Sequence, residues 1–181
     1  AREPAYSPDG TRLAFAQGDL GTSWLMVMPA RGGAARQLYR GARYSQVYSP
    51  TWSPDGKEIA FSVWEAGGYR DLVVLEVESG KLRRVSRDRA LDVDPVYTPD
   101  GRYLLFSSDR TGIYNVYALE RRSGALWQVT NVLGGAFQPG HYAPPVTPAD
   151  VAPTLASTIG MPMHEVEGRP LTDAVAHRPP P

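Results

Sequence analysis

Residues 95–106 read PVYTPDGRYLLF, in which a Pro-Asp-Gly turn separates two runs of large apolar residues. Proline fixes φ near about −65°, aspartate can accept hydrogen bonds from the nearby backbone, and glycine adopts the left-handed conformation that strains other residues. The flanking residues are β-branched or aromatic and alternate with a period near two, which is typical of strands rather than helices. The stretch therefore predicts a type I turn that closes a short β-hairpin with a bulge.

Nearly the same corner occurs three times in the chain. The copies are PAYSPDGTRLAF from Pro4, PTWSPDGKEIAF from Pro50 and PVYTPDGRYLLF from Pro95, at intervals of 46 and 45 residues. Each is followed by an alternating apolar stretch (SWLMVM, DLVVLEV, YNVYALE), then a turn glycine, then an aliphatic residue five positions later. Four short strands in a period of about 40–50 residues are typical of a β-propeller blade. We assign a structural turn role, rather than an acidic ligand role, to Pro8, Asp9, Gly10, Pro54, Asp55, Gly56, Pro99, Asp100 and Gly101.

The repeat predicts an all-β fold of three four-stranded antiparallel blades, which is an incomplete β-propeller over residues 1–139. Phe15, Phe61 and Phe106 occupy equivalent positions and should be buried alike, since repeats bury their apolar faces against their neighbours. Propellers close with ~4–8 blades, so the outer faces of the first and third blades should stay exposed and favour self-association. The sequence starts directly in a turn motif, so either a leader has been removed or the chain begins within a domain, and we expect the second. The predicted blades are residues 1–46, 47–91 and 92–139.

The repeat ends near residue 140. Pro139 stands at the expected interval, but residues 140–181 are proline-rich and lack alternating strands. Thr147 is a suitable N-cap with proline after it, and apolar residues then recur at i, i+4 and i+8. We expect a short helix within residues 148–159 and an irregular end.

Composition argues against several functions. Lysine plus arginine and aspartate plus glutamate both number 19, so no basic excess points to nucleic acid. No apolar run approaches the ~20 residues of a membrane helix, and the absence of cysteine excludes disulfides and thiol catalysis. His141, His164 and His177 match no compact zinc pattern, and neither a Gly-x-Ser-x-Gly elbow nor a phosphate-binding loop is present. We therefore predict no catalytic, cofactor or metal site.

Five residues form a candidate binding face. The aromatic residues Trp24, Trp64 and Tyr69 lie outside the columns that the repeat explains. Asp109 and Arg110, in SSDRTG, fall in a loop between strands, where propellers place binding residues. Two alternatives stay open, namely core packing for the aromatic residues and a structural salt bridge for the charged pair.

The repeats resemble the blades of TolB-type propellers, bacterial relatives of the WD-repeat group. The resemblance covers residues 1–139 and rests on the pattern P-x-[WY]-[ST]-P-D-G-x-x-[ILY]-x-F. It implies a propeller of the periplasm or cell envelope that binds other proteins and has no catalytic activity. Residues 139–176, with PADVAPTLASTIGMP followed by EGRPL, resemble instead the C-terminal stretch of alkaline-phosphatase-superfamily hydrolases. Two partial resemblances in one chain suggest a truncated or fused reading frame.

The function expected from these features is a non-enzymatic protein-interaction module of the bacterial envelope, with an unidentified protein partner. The alternative is an accessory fragment of a hydrolase. Such a fragment would be the propeller of a prolyl-oligopeptidase-like peptidase, or a remnant of an alkaline-phosphatase-superfamily phosphodiesterase or sulfatase.

Overall fold

The computed structural model describes residues 1–19, 21–65 and 68–130, and in them twelve strands form three four-stranded antiparallel sheets. Within each sheet the strands follow one another in chain order, so each sheet is a simple meander. This confirms the predicted all-β fold with three blades. The predicted tail, with its helix at 148–159, lies outside the described residues. The strands are β1 (Arg2–Tyr6), β2 (Arg12–Asp19), β3 (Thr22–Pro29), β4 (Arg36–Arg40), β5 (Gln46–Trp52), β6 (Glu58–Trp64), β7 (Arg70–Glu76), β8 (Leu82–Arg84), β9 (Val93–Tyr97), β10 (Tyr103–Ser108), β11 (Asn115–Glu120) and β12 (Leu126–Gln128).

The Pro-Asp-Gly turns join the first two strands of every blade and share one hydrogen-bond pattern. In the second blade the Gly56 amide donates to the Ser53 carbonyl at 2.8 Å, and Gly56 has a φ of 67°. The Ser53 hydroxyl donates to Asp55 Oδ1 at 2.6 Å and accepts a bond from the Glu58 amide at 2.9 Å. Ser7 and Thr98 make the equivalent bonds in the other two turns. Each turn aspartate is therefore occupied in holding its own turn.

Two apolar clusters join the three blades face to face. The first lies between the first and second blades and includes Leu25, Val27 and Phe61, whereas the second joins Leu72 and Val74 to Phe106 and its neighbours on the third blade. Phe15, Phe61 and Phe106 are 7%, 0% and 3% exposed. Burial between blades therefore fixes how the loops at the two ends of the blades lie relative to one another.

The first strand of each blade bends in the same unusual way. Glu3, Ser49 and Asp94, which each precede a proline, have φ values of 53°, 47° and 52°, and the strand register shifts there. Residues before proline favour extended backbone, so three left-handed residues at this position are unexpected from the sequence. The Ser49 amide donates to Glu3 Oε2 at 2.6 Å, and its hydroxyl donates to Asp94 Oδ1 at 2.7 Å. The equivalent bends therefore contact one another and align the three strands.

The outer face of the third blade carries exposed apolar side chains. Val96 and Trp127 point away from the second blade and are 53% and 47% exposed, and the centres of the Trp127 and Tyr103 rings lie 6.0 Å apart in an edge-to-face arrangement. On the first blade Tyr6 is 66% exposed. The self-association expected from such faces stays a prediction.

Candidate functional site

One end of the three blades gathers the loops that join successive blades and those that join the second and third strands within a blade. We call it the connecting-loop end, and we call the opposite end the Pro-Asp-Gly end. Antiparallel meanders place these two kinds of loop together, because alternate connections fall at the same end of a sheet. The described residues of these loops are 21, 41–45, 65, 68–69, 85–92 and 109–114.

All five residues that the sequence proposed for a binding face lie at the connecting-loop end. Trp24 and Trp64 sit at strand ends and are half-buried, whereas Tyr69 is 44% exposed. Asp109 and Arg110 directly follow β10. The structure thus brings residues from all three blades to one end, although the partners of the charged pair differ from the sequence expectation.

Asp109 and Arg110 hold the loop between the second and third blades. Arg110 Nη2 lies 2.9 Å and 3.1 Å from the two carboxylate oxygens of Asp92, whose side chain is fully buried. Its guanidinium also lies 4.9 Å from the centre of the Tyr117 ring. Asp109 accepts a hydrogen bond from the Leu91 amide at 2.7 Å. These contacts are those of a structural salt bridge, the alternative that the sequence left open for this pair. The ionic partner of Arg110 is Asp92.

Besides Arg110, four arginines at this end stack on aromatic rings. Two of them share Tyr48, with guanidinium carbons 4.4 Å and 3.9 Å from the ring centre, and the other two lie 5.0 Å from Trp24 and 4.7 Å from Tyr44. Cation–π contacts of this kind contribute about 0.5–1 kcal/mol at exposed sites. They hold long side chains in defined positions on an otherwise open surface. The four are Arg2 and Arg70 on Tyr48, Arg40 on Trp24, and Arg43 on Tyr44.

Two adjoining recesses open beside these arginines on the first blade. The larger, about 590 Å³, is lined in part by Arg2, and the smaller, about 460 Å³, by Arg40 and Arg43. Asp19 and Thr22 line both recesses and form the wall between them. The recesses are thus shallow and richer in cations than in anions.

The carboxylates of the two ends differ in their electrostatic surroundings. Hydroxyl donors in the turns lower the pKa of Asp9, Asp55 and Asp100 below its usual value, and that of Asp9 falls to about 2. At the connecting-loop end burial raises the pKa of Asp71, although Arg84 lies 3.4 Å away. The turn carboxylates are therefore stabilised as anions by their own turns, which fits a structural role.

The described residues contain neither a metal-ligand cluster nor a membrane-spanning helix. No cluster of three or more His, Asp or Glu side chains in them has the arrangement to hold a metal ion. The same part of the chain contains no long apolar helix that could cross a membrane. The features that stand out at the connecting-loop end are therefore its aromatic rings and arginines.

Sequence reasoning missed the arginines on Tyr48, but a signal for one of them was present. Arg2 and Tyr48 are separated by 46 residues, which is one repeat interval, so they occupy equivalent positions in neighbouring blades. Equivalent residues of adjacent first strands lie side by side in a propeller, as Glu3 and Ser49 also do. Superimposing the repeats would have placed Arg2 next to Tyr48.

Comparisons with known proteins agree with this architecture. The family model described as TolB beta propeller domain matches residues 41–146. The Protein TolB homolog of Chlorobium luteolum is 32% identical over 67% of this chain and 27% of its own length, and the Uncharacterized peptidase YuxL of Bacillus subtilis is 30% identical over 60% of this chain and 22% of its own. The solved structure of a putative TolB from Agrobacterium tumefaciens has a TM-score of 0.61 at 26% identity, over 75% of this chain and 47% of that one.

These matches define both the family and the extent of the likeness. The chain spans between 22% and 46% of the length of three of the curated relatives it matches. The family match, by contrast, covers more than half of the present chain and includes the second and third Pro-Asp-Gly turns. The chain therefore belongs to the TolB beta-propeller domain family.

Proposed function

We propose that this chain is a protein-interaction module of the bacterial cell envelope, without catalytic activity, and that it binds its partner at the connecting-loop end. The observation that carries the proposal is the concentration of arginines and partly exposed aromatic rings at that end. Tyr44 and Tyr69 are 54% and 44% exposed there, beside the four stacked arginines. Trp, Tyr and Arg are the residues that most often dominate the binding energy of protein interfaces.

The family supports the cellular setting of this proposal. The resemblance to TolB-type propellers implies an envelope protein that binds other proteins, and a relative named as a TolB homolog matches two thirds of this chain. A fixed scaffold that presents loops suits such a role, because rigid surfaces lose less conformational entropy on binding.

A second candidate function is the propeller of a peptidase. A relative named as a peptidase is 30% identical over 60% of this chain, and the matched stretch is 22% of that relative's own length. In that case the propeller would accompany a separate catalytic domain and control access to it. All three histidines of the present chain lie beyond residue 130, so the described propeller carries no histidine for a serine triad.

The binding function can be tested with paired variants at the two ends. The immobilised 181-residue chain is incubated with envelope extract of its source organism, and retained proteins are identified by mass spectrometry. A Trp24→Ala/Tyr69→Ala variant should lose the specific partner, while a Leu82→Ala/Leu126→Ala variant keeps it. The control removes two exposed apolar side chains, 46% and 39% exposed, near the Pro-Asp-Gly end. Equal retention by both variants, or equal loss, would contradict the proposal.

The absence of catalysis has its own assay. The chain is incubated with a phosphodiester, a sulfate ester and a proline-containing peptide, each with zinc, calcium or magnesium. We expect no turnover above the blank. Turnover that a single substitution within this chain abolishes would overturn the non-enzymatic proposal.

A further inference from the structure

Arginines that stack on aromatic rings differ between the two ends of the described blades. At the Pro-Asp-Gly end each stacked arginine also forms an ion pair with a carboxylate. Arg12 pairs with Glu78 at 3.5 Å and Arg102 pairs with Glu120 at 2.9 Å. The third stacked arginine at this end, Arg121, pairs with Glu58. At the connecting-loop end, Arg110 is the one stacked arginine of the described residues that has a carboxylate partner, the buried Asp92. Those without a carboxylate partner are Arg2, Arg40, Arg43 and Arg70.

The four unpaired guanidiniums are held in place but not neutralised. A stacked guanidinium uses its flat face, so its N–H edge stays available for the two parallel bonds that a carboxylate accepts. Arg40, Arg43 and Arg70 donate no side-chain hydrogen bond to any described residue, and Arg2 makes only long ones, to Ser23 Oγ at 3.4 Å among others. Among the described residues, the N–H edges of Arg40, Arg43 and Arg70 therefore have no acceptor, and that of Arg2 has only long contacts, so they can bind an external acceptor.

Three of these four arginines line the two recesses on the first blade. Arg40 and Arg43 line one recess, and Arg2 lines the other. Of the described residues that line them, the one acidic residue is Asp19, and it forms no ion pair with another described residue. The recess walls thus carry three cations and one anion, which favours an anionic ligand.

We propose that the connecting-loop end binds a protein segment rich in Asp or Glu, whose carboxylates pair with Arg40 and Arg43 and with the guanidiniums on Tyr48. This inference rests on the proposed binding function and specifies the chemistry of the partner. Exposed tyrosines beside the arginines suit a peptide with apolar side chains between its acids. A polyphosphate fits less well, because it would leave the exposed Tyr44 and Tyr69 side chains at this end without an apolar partner.

The test is a titration of the full 181-residue chain with a fluorescein-labelled 12-residue peptide in which glutamate alternates with serine and tyrosine. Its control peptide has glutamine at every glutamate position. The protein variants are Arg40→Gln/Arg43→Gln and the matched control Arg31→Gln/Arg122→Gln, which removes two exposed arginines at the opposite end. Circular dichroism and thermal melting verify that each variant is folded.

We expect the glutamate peptide to bind, and the Arg40→Gln/Arg43→Gln variant to weaken its affinity about tenfold, which corresponds to about 1.4 kcal/mol. The control variant should bind like the original chain, and raising the salt concentration should weaken the binding. Substitution of both arginines by lysine should restore only part of the affinity, because lysine lacks the planar fork.

Four results would overturn the inference. They are undetectable binding of the glutamate peptide, equal affinity for the glutamine peptide, equal weakening by the control variant, and tighter binding of oligo-dT or phosphatidylglycerol vesicles that depends on the same arginines. The proposed function would survive any of them if an envelope partner still requires Trp24 and Tyr69. Failure of that retention assay would remove the proposed function itself.

Discussion

Removal of the Arg110 guanidinium should destabilise the fold far more than its surface position suggests. Asp92 is fully buried, and Arg110 contacts both of its carboxylate oxygens. Breaking a buried ion pair by deleting one partner costs about 3–5 kcal/mol, because a charge is left without compensation. Arg110 is itself 21% exposed, so water can partly reach the gap. We therefore expect Arg110→Met to lower the free energy of unfolding by about 3 kcal/mol.

Substitution of the other partner, Asp92, should lower the free energy of unfolding by less. In Asp92→Asn the amide still accepts a hydrogen bond, and Arg110 keeps Asp88 at 3.3 Å as an ionic partner. We expect a loss of about 1–2 kcal/mol for this variant. Urea denaturation at fixed protein concentration measures both values. At about 2–4 °C per kcal/mol for a chain of this size, the melting temperature should fall by roughly 6–12 °C for Arg110→Met and by roughly 2–8 °C for Asp92→Asn.

A double-mutant cycle decides whether the two residues act as a pair. The combined variant should be more stable than the sum of the single losses predicts, by about 1 kcal/mol or more, since removing both partners leaves no unpaired buried charge. Strict additivity would refute the reasoning. So would a smaller loss for Arg110→Met than for Asp92→Asn.

Three further predictions concern the turns, the core and the open face. The pKa values of the turn carboxylates are lowered in the folded state, from 3.8 to about 2 in the first turn. Their contribution to stability is therefore present above about pH 4 and is lost as the pH falls through their lowered folded-state pKa values, which for Asp9 is about 2. The melting temperature should fall over this window, and less steeply when all three are replaced by asparagine; equal slopes would contradict this. The three turn carboxylates replaced in this variant are Asp9, Asp55 and Asp100. Phe61→Ala should cost about 3–5 kcal/mol in urea denaturation, because the ring is fully buried between two blades, and a loss below about 1 kcal/mol would argue against that packing. Sedimentation velocity should show concentration-dependent association of the chain that Trp127→Glu reduces, whereas a monomeric chain at all concentrations would count against association through this face.

Much of the fold follows from chemistry that acts over a few residues. The Ser53 hydroxyl, the Asp55 carboxylate and the Gly56 backbone meet within four positions, so the turn could be predicted from its own letters. The alternation of side chains that marks the strands is equally local. Three copies at one interval then predicted blades, which the sheets confirm.

The candidate site depended on contacts that no local pattern contains. Sequence reasoning placed Arg110 in a loop, but its ionic partner Asp92 lies 18 residues earlier, in the connection from the preceding blade. Trp24 and Tyr69 were predicted as binding residues without any indication that they share one end of the structure. Their common location follows from the direction of the strands in each sheet.

The sequence by itself determined the repeat, the turns, the alternating strands and the kinds of side chain available for binding. Only the tertiary structure decided which arginines have a carboxylate partner and which lack one, as the contrast between Arg102 with Glu120 and Arg40 on Trp24 shows. It also decided the left-handed bend at Ser49, where local preference favours extended backbone. The physical reason is distance along the chain. Hydrogen bonds within a turn are set by neighbouring residues, whereas ion pairs and ring contacts between strands depend on how whole blades pack together.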